Sequence, residues 1–91
     1  MESKNKLLSR IEILSKNVTQ QSYNEYIKKG FQILVDLKNL KEEEKEVYDY
    51  LLNYRNTLED KDLSVDYIEH LMDYVCGWCN REYYIWRNSS N

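Results

Sequence analysis

Two cysteines and one histidine are the residues of this chain that could most readily do chemistry. Cys76-Gly77-Trp78-Cys79 has the C-x-x-C spacing of redox pairs and of half a zinc site. A redox pair needs an activated thiol, usually at the start of a helix, whereas this motif falls inside a predicted helix. Three interpretations stay open: buried small apolar side chains, a metal shared across a dimer, and a redox pair or disulfide.

No other arrangement of residues indicates catalysis. His70 is the only histidine and would lie about 120° around one helix from Cys76, which separates the imidazole from the thiol. The many acidic residues come without a glycine-rich phosphate loop, a calcium-binding loop or an H-E-x-x-H pattern. We therefore expect no enzymatic activity, no cofactor and no bound metal.

Composition indicates a small all-α protein. The chain of 91 residues has no proline and two glycines, too few turn residues for an all-β domain, and it is rich in Leu, Lys and Glu, which favour helices. No apolar run reaches the roughly 18 residues of a membrane-spanning helix, and the N-terminus lacks the features of a signal peptide. We expect one cytoplasmic domain over residues 1–91.

Apolar residues at helical spacing predict an antiparallel four-helix bundle with a long C-terminal helix. The helices are expected over residues 4–16, 22–38, 40–59 and 64–87. Ser3 and Ser22 stand where N-caps are expected. Gly30 falls on the inner side of the second helix, where it either admits a neighbouring backbone or occurs by chance. The predicted inner side of that helix consists of Tyr23, Ile27, Phe31, Leu34 and Leu37.

The last predicted helix has more apolar surface than a surface helix needs. Its core face consists of Ile68, Leu71, Met72, Val75, Cys76, Cys79, Tyr83 and Trp86. Beside that face, Tyr67, Tyr74, Trp78 and Ile85 widen the apolar arc to roughly 200°. Such a helix either lies centrally among its own neighbours or is covered in part by another chain.

Nine tyrosines and two tryptophans are more aromatic residues than four inner stripes can bury. We expect Tyr50, Tyr67, Tyr74, Trp78 and Tyr84 to face outward, near acidic residues. Residues 42–91 hold twelve acidic residues against five basic ones, a balance that favours a basic partner.

These features favour a non-enzymatic protein-binding module. The hypothesis is a small acidic inhibitor, an immunity-type protein or a phage or host accessory factor that blocks a basic partner protein. The predicted partner-binding residues are Tyr50, Tyr67, His70, Asp73, Tyr74, Trp78, Arg81, Tyr84 and Ile85.

Two other functions stay open. The apolar arc of the last helix could join two copies in a homodimer. The first half of the chain, with eight basic residues against four acidic ones over residues 1–41, could bind nucleic acid, although the net charge of −3 opposes this. The basic residues of that alternative are Lys4, Lys6, Arg10, Lys16, Lys28 and Lys29.

Overall fold

The computed structural model describes residues 3–79 and 81–86, and four α-helices account for most of them. The helices are α1 (Lys4–Asn17), α2 (Tyr23–Asn39), α3 (Glu44–Arg55) and α4 (Leu63–Cys76), followed by a short 3-10 helix over Arg81–Tyr83. No β-strand occurs within the described ranges, so the predicted all-α class is confirmed. None of the described helices is long and apolar enough to cross a membrane.

The first two helices begin within a residue of the predicted positions. Ser3 caps α1 as predicted, because its Oγ accepts a hydrogen bond from the backbone N–H of Lys6 at 3.3 Å. Ser22 precedes α2 but forms no side-chain cap, so that prediction is wrong. Its hydroxyl is engaged instead with Thr19, whose backbone N–H donates to Ser22 Oγ at 2.9 Å.

α2 ends in a Schellman motif whose left-handed residue is a lysine. Lys41 has φ 69°. The N–H of Glu42 donates to the Leu37 carbonyl at 3.2 Å, and the N–H of Lys41 donates to the Lys38 carbonyl at 2.9 Å. This turn delays α3 until Glu44, so the predicted start at residue 40 is wrong.

α3 also ends earlier than predicted, at Arg55 rather than at residue 59. The N–H and the hydroxyl of Thr57 both donate to the Tyr54 carbonyl, at 3.0 and 2.7 Å, and the N–H of Leu58 donates to the Arg55 carbonyl at 3.0 Å. These bonds span three residues instead of four, so they close the helix with a tighter turn.

α4 ends at Cys76, so the prediction of one continuous helix from residue 64 to residue 87 is wrong. Gly77 takes the left-handed conformation at φ 89°, and its N–H donates to the Asp73 carbonyl at 3.0 Å. The chain then turns back, and the N–H of Ile85 donates to the Tyr74 carbonyl at 3.3 Å. Residue 87 itself lies outside the described residues.

α4 is the central helix and contacts each of the other three. Its fully buried side chains are Tyr67, Ile68, Leu71 and Val75. Segment 81–86 returns over the molecule and buries Ile85 and Trp86 in the same core. Much of the wide apolar arc, including Tyr67, Ile85 and Trp86, is therefore covered within one chain, whereas Trp78 stays exposed.

Gly30 allows α4 to approach α2 closely. A Cβ at residue 30 would lie 2.7 Å from Tyr67 Oη and 2.8 Å from Leu71 Cδ2. The Tyr67 hydroxyl is fixed there, because it donates to the Tyr26 carbonyl at 2.6 Å. The glycine thus makes room for two side chains of α4, rather than for its backbone.

Candidate partner-binding surface

Many tyrosines lie at the boundary between core and solvent, with the ring packed and the hydroxyl bonded to another part of the chain. The Tyr54 hydroxyl pairs with Ser15 Oγ at 2.9 Å, and the Tyr50 hydroxyl donates to the Glu12 carboxylate. A half-buried ring needs an apolar surface on one side only, so this arrangement accommodates more rings than the inner stripes alone. The number of tyrosines therefore does not by itself indicate a binding surface.

Two of the predicted partner-binding residues belong to the core. Tyr67 is 0% exposed, so the prediction that it faces outward is wrong. Ile85, predicted on the same apolar arc, is 8% exposed. Tyr67 is buried because the missing side chain of Gly30 leaves room for its hydroxyl. Ile85 is buried because the turn at Gly77 directs segment 81–86 back onto the core.

Tyr50 and Tyr84 are half-buried and hold separate parts of the chain together. The Tyr84 hydroxyl donates to Glu44 Oε1 at 2.7 Å, and this hydrogen bond, with burial, raises the pKa of Tyr84 to about 12. Burial and the hydrogen bond to Glu12 raise the pKa of Tyr50 to about 12. Both hydroxyls are thus committed to contacts within the fold.

Five other rings meet in one place, which we call the aromatic row: Tyr23 and Phe31 of α2, His70 and Tyr74 of α4, and Tyr83. The ring centroids are 5.9 Å apart for Tyr23 and His70, 5.1 Å for His70 and Tyr74, and 6.1 Å for Tyr74 and Tyr83. Phe31 packs edge-on against Tyr74 at 5.2 Å. All five are half-buried or exposed. The aromatic row follows the junction of α2 and α4 and ends beside the turn after α4.

Two tyrosine hydroxyls hold His70 in the middle of the aromatic row. The Tyr23 hydroxyl lies 3.3 Å from Nδ1, and the Tyr74 hydroxyl lies 3.0 Å from Nε2. The Tyr23 hydroxyl also donates to the Asp66 carbonyl at 3.2 Å. Both ring nitrogens of His70 therefore have hydrogen-bond partners within the fold.

Trp78 is 84% exposed and lies in the turn after α4, four positions beyond Tyr74 of the aromatic row. It follows the left-handed Gly77, and its Cα lies within about 14 Å of that of Tyr74. Trp86, by contrast, is 3% exposed, and its Nε1 donates to the Glu42 carbonyl at 3.1 Å. One tryptophan anchors the C-terminal segment and the other is open to solvent.

Beside the aromatic row, a surface cavity of about 240 Å³ lies between α2 and segment 81–86. Phe31 belongs to both the aromatic row and the cavity, so the two form one continuous surface. The cavity is lined by Phe31, Val35, Lys38, Asn39, Glu82, Tyr84 and Ile85.

Carboxylates border the aromatic row on its α4 side. Asp66 and Asp73 are exposed, and none of the salt bridges found between described residues includes either of them. Partial burial raises the pKa of Asp73. Arg81 and Glu82, both exposed and both engaged in contacts, lie at the C-terminal end, and Lys28 is exposed on α2. The border is acidic along α4 and mixed elsewhere.

Cys76 and Cys79 flank the turn that carries Trp78, and both are free, half-buried thiols. Burial, followed by the charges of Asp73 and Cys76, raises the pKa of the Cys79 thiol. The motif follows the C-terminal end of α4, not the N-terminal end at which a helix dipole activates a thiol. Across residues 3–79 and 81–86, no group of three or more His, Cys, Asp or Glu could hold a metal ion.

The structure brings three predicted residues together at this surface: His70, Asp73 and Tyr74. Trp78 and Arg81 lie in the chain that follows α4. Tyr23, Phe31 and Tyr83 also belong to the aromatic row, although the sequence predicted them on inner faces. No pattern in the sequence separates a half-buried ring at the flank of a helix from a fully buried one, since both fall at helical spacing.

The basic residues of the first half of the chain are partly neutralised. Lys4 Nζ lies 3.2 Å from Glu42 Oε1 and 3.4 Å from Glu46 Oε2. Lys29 Nζ lies 4.0 Å from Glu25 Oε1. These contacts reduce the positive charge available to a phosphate backbone.

No protein-family model, no curated protein and no solved structure matches this chain.

Proposed function

We propose that this chain is a non-enzymatic protein-binding module whose contact surface consists of the aromatic row and Trp78. The observation that carries the proposal is the exposure of Trp78, 84%, in a chain whose other tryptophan is 3% exposed. Tryptophan combines a large apolar area with a polar N–H and is enriched at binding hot spots. Full burial of such a side chain corresponds to an upper limit of about 4–6 kcal/mol.

The partner in this proposal is a basic protein. Asp66 and Asp73 lie beside the aromatic row, and residues 42–91 hold twelve acidic residues against five basic ones. Such a charge distribution speeds the encounter with a basic surface and disfavours acidic competitors. A small inhibitor, an immunity-type protein or a phage or host accessory factor would use this surface to block a basic site on its target.

The proposal keeps two further expectations from the sequence. These are an antiparallel arrangement of the four helices and a cytoplasmic location, in which both thiols stay reduced. The homodimer and nucleic-acid alternatives have less support. Tyr67 and Ile85 of the arc that motivated a dimer are buried within one chain. Two of the six candidate phosphate-binding residues, Lys4 and Lys29, pair with carboxylates.

Photo-crosslinking in the source cells tests this proposal. A photoreactive benzoylphenylalanine replaces Trp78 in the full chain, and a matched control carries it at Ile13, which is 57% exposed on α1. We expect one discrete protein adduct from position 78, none from position 13, and loss of the adduct when Tyr83→Ala is added. Equal adducts from both positions, or no protein adduct from position 78, would contradict the proposal.

A further inference from the structure

We infer that the partner segment is a basic α-helix that lies along the aromatic row, with two cationic side chains, two helical turns apart, facing Asp66 and Asp73. This inference rests on the proposed function, because it specifies what occupies the same surface. Three observations lead to it: the continuity of the rings, the secondary structure that borders them, and the position of the charges.

The rings of the aromatic row form a continuous, partly exposed apolar strip. Neighbouring ring centroids are 5.9, 5.1 and 6.1 Å apart, which are the ordinary distances of packed aromatic rings. An amphipathic helix can lay its apolar face along such a strip.

The secondary structure around the aromatic row also favours a helix. No residue within 3–79 or 81–86 belongs to a β-strand, so the described surface has no strand edge to which an extended segment could add. The aromatic row instead follows the junction of α2 and α4, with Tyr23 and Phe31 on one side and His70 and Tyr74 on the other. Amphipathic helices pack into such junctions between two helices.

The charges around the aromatic row determine where the partner helix carries its own. Asp66 and Asp73 are seven residues apart on α4, which is about two turns or ~10.5 Å along the axis. A partner helix beside α4 meets them with cations at positions i and i+7. Arg81 and Glu82, which precede Tyr83 in the chain, contribute opposite charges at the end of the aromatic row.

A displayed-peptide selection against the full chain tests this inference. One library presents 21-residue peptides in a helix-forming background, and a second places proline at every third position, which prevents an α-helix. The Trp78→Ala chain serves as the counter-target. We expect enrichment from the helical library alone, with Lys or Arg at two positions seven apart. The selected peptides should bind on the order of fivefold more weakly to the Asp66→Asn/Asp73→Asn variant, and equally well to a Glu59→Gln control.

Enrichment of peptides from the proline library, or of helical peptides without the paired cations, would overturn the inference. So would a selection in which no peptide binds the parent chain better than the Trp78→Ala chain. Crosslinking of a native partner at position 78 together with any of these outcomes would leave the proposed function standing and reject only the helical segment. Absence of that crosslink rejects the proposed function itself, whichever peptides are selected.

Discussion

Replacing Gly30 by alanine should destabilise this protein, although alanine favours helices. At an exposed helix position the exchange gains about 1 kcal/mol. At residue 30 the new Cβ would lie 2.7 Å from Tyr67 Oη and 2.8 Å from Leu71 Cδ2. Tyr67 and Leu71 are both 0% exposed, so neither side chain can move into solvent to relieve the contact.

The size of the effect follows from two costs. Overpacking of a buried site costs about 1–3 kcal/mol. Displacement of the Tyr67 hydroxyl from the Tyr26 carbonyl, 2.6 Å away, leaves a buried donor unpaired at a further cost of about 1–3 kcal/mol. After the gain in helix propensity, Gly30→Ala should lower the free energy of unfolding by about 3 kcal/mol. The melting temperature of a chain of this size should fall by roughly 12–24 °C.

Urea denaturation followed by circular dichroism measures this effect in a double-mutant cycle with Tyr67→Phe. Phenylalanine lacks the hydroxyl oxygen that the new Cβ would meet, so Gly30→Ala should cost at least about 1 kcal/mol less in that background. Stabilisation by Gly30→Ala, or strictly additive effects of the two substitutions, would refute the packing of α4 against α2 described above.

Three further predictions concern the tryptophans, the turn after α2 and the tyrosine hydroxyls. Trp86→Ala should lower the free energy of unfolding, measured by urea denaturation, by about 3–5 kcal/mol, because its ring is buried. Trp78→Ala should stay within about 0.5 kcal/mol of the parent. Similar costs for the two variants would contradict the assigned exposures of the two tryptophans. Lys41→Gly should raise the free energy of unfolding by about 1 kcal/mol in the same assay, because glycine adopts φ 69° without strain. A destabilised variant would contradict the left-handed conformation at residue 41. The folded-state pKa of about 12 for Tyr50 and Tyr84 lies above the ordinary value of 10.0, so their contribution to stability is complete below pH 10 and is lost as the pH rises towards 12. The free energy of unfolding of the Tyr50→Phe/Tyr84→Phe variant should fall less steeply over that range than that of the parent, and equal slopes would rule out the raised pKa values.

The helical class and the first two helices follow from the sequence, because apolar spacing and turn residues agree along residues 4–39. The ends of α3 and α4 do not. Helical spacing continues beyond Gly77 through Cys79, Tyr83 and Trp86, yet the left-handed glycine reverses the chain and Trp86 reaches the core from another direction. A lysine occupies the left-handed position after α2, where glycine is the usual signal, so the delayed start of α3 has no marker in the sequence.

The candidate surface was predictable in part. His70, Asp73, Tyr74 and Trp78 were expected there from the aromatic flank of the last helix. Tyr67 lies on the same predicted flank, but the room left by Gly30 draws it into the core. That distinction depends on the distance between two helices, which spacing along one helix does not determine.

The affinity of the partner captured at position 78 is the most direct test of Trp78 and the aromatic row as the contact surface. The measurement compares the parent chain with Trp78→Ala and with Ile13→Ala. Both residues are exposed and apolar, and they lie in different parts of the chain, the turn after α4 and α1. Loss of a hot-spot tryptophan should weaken binding by about 30-fold or more, while Ile13→Ala should leave the affinity unchanged. Equal affinities for the parent and Trp78→Ala chains, or a comparable loss with Ile13→Ala, would contradict the account.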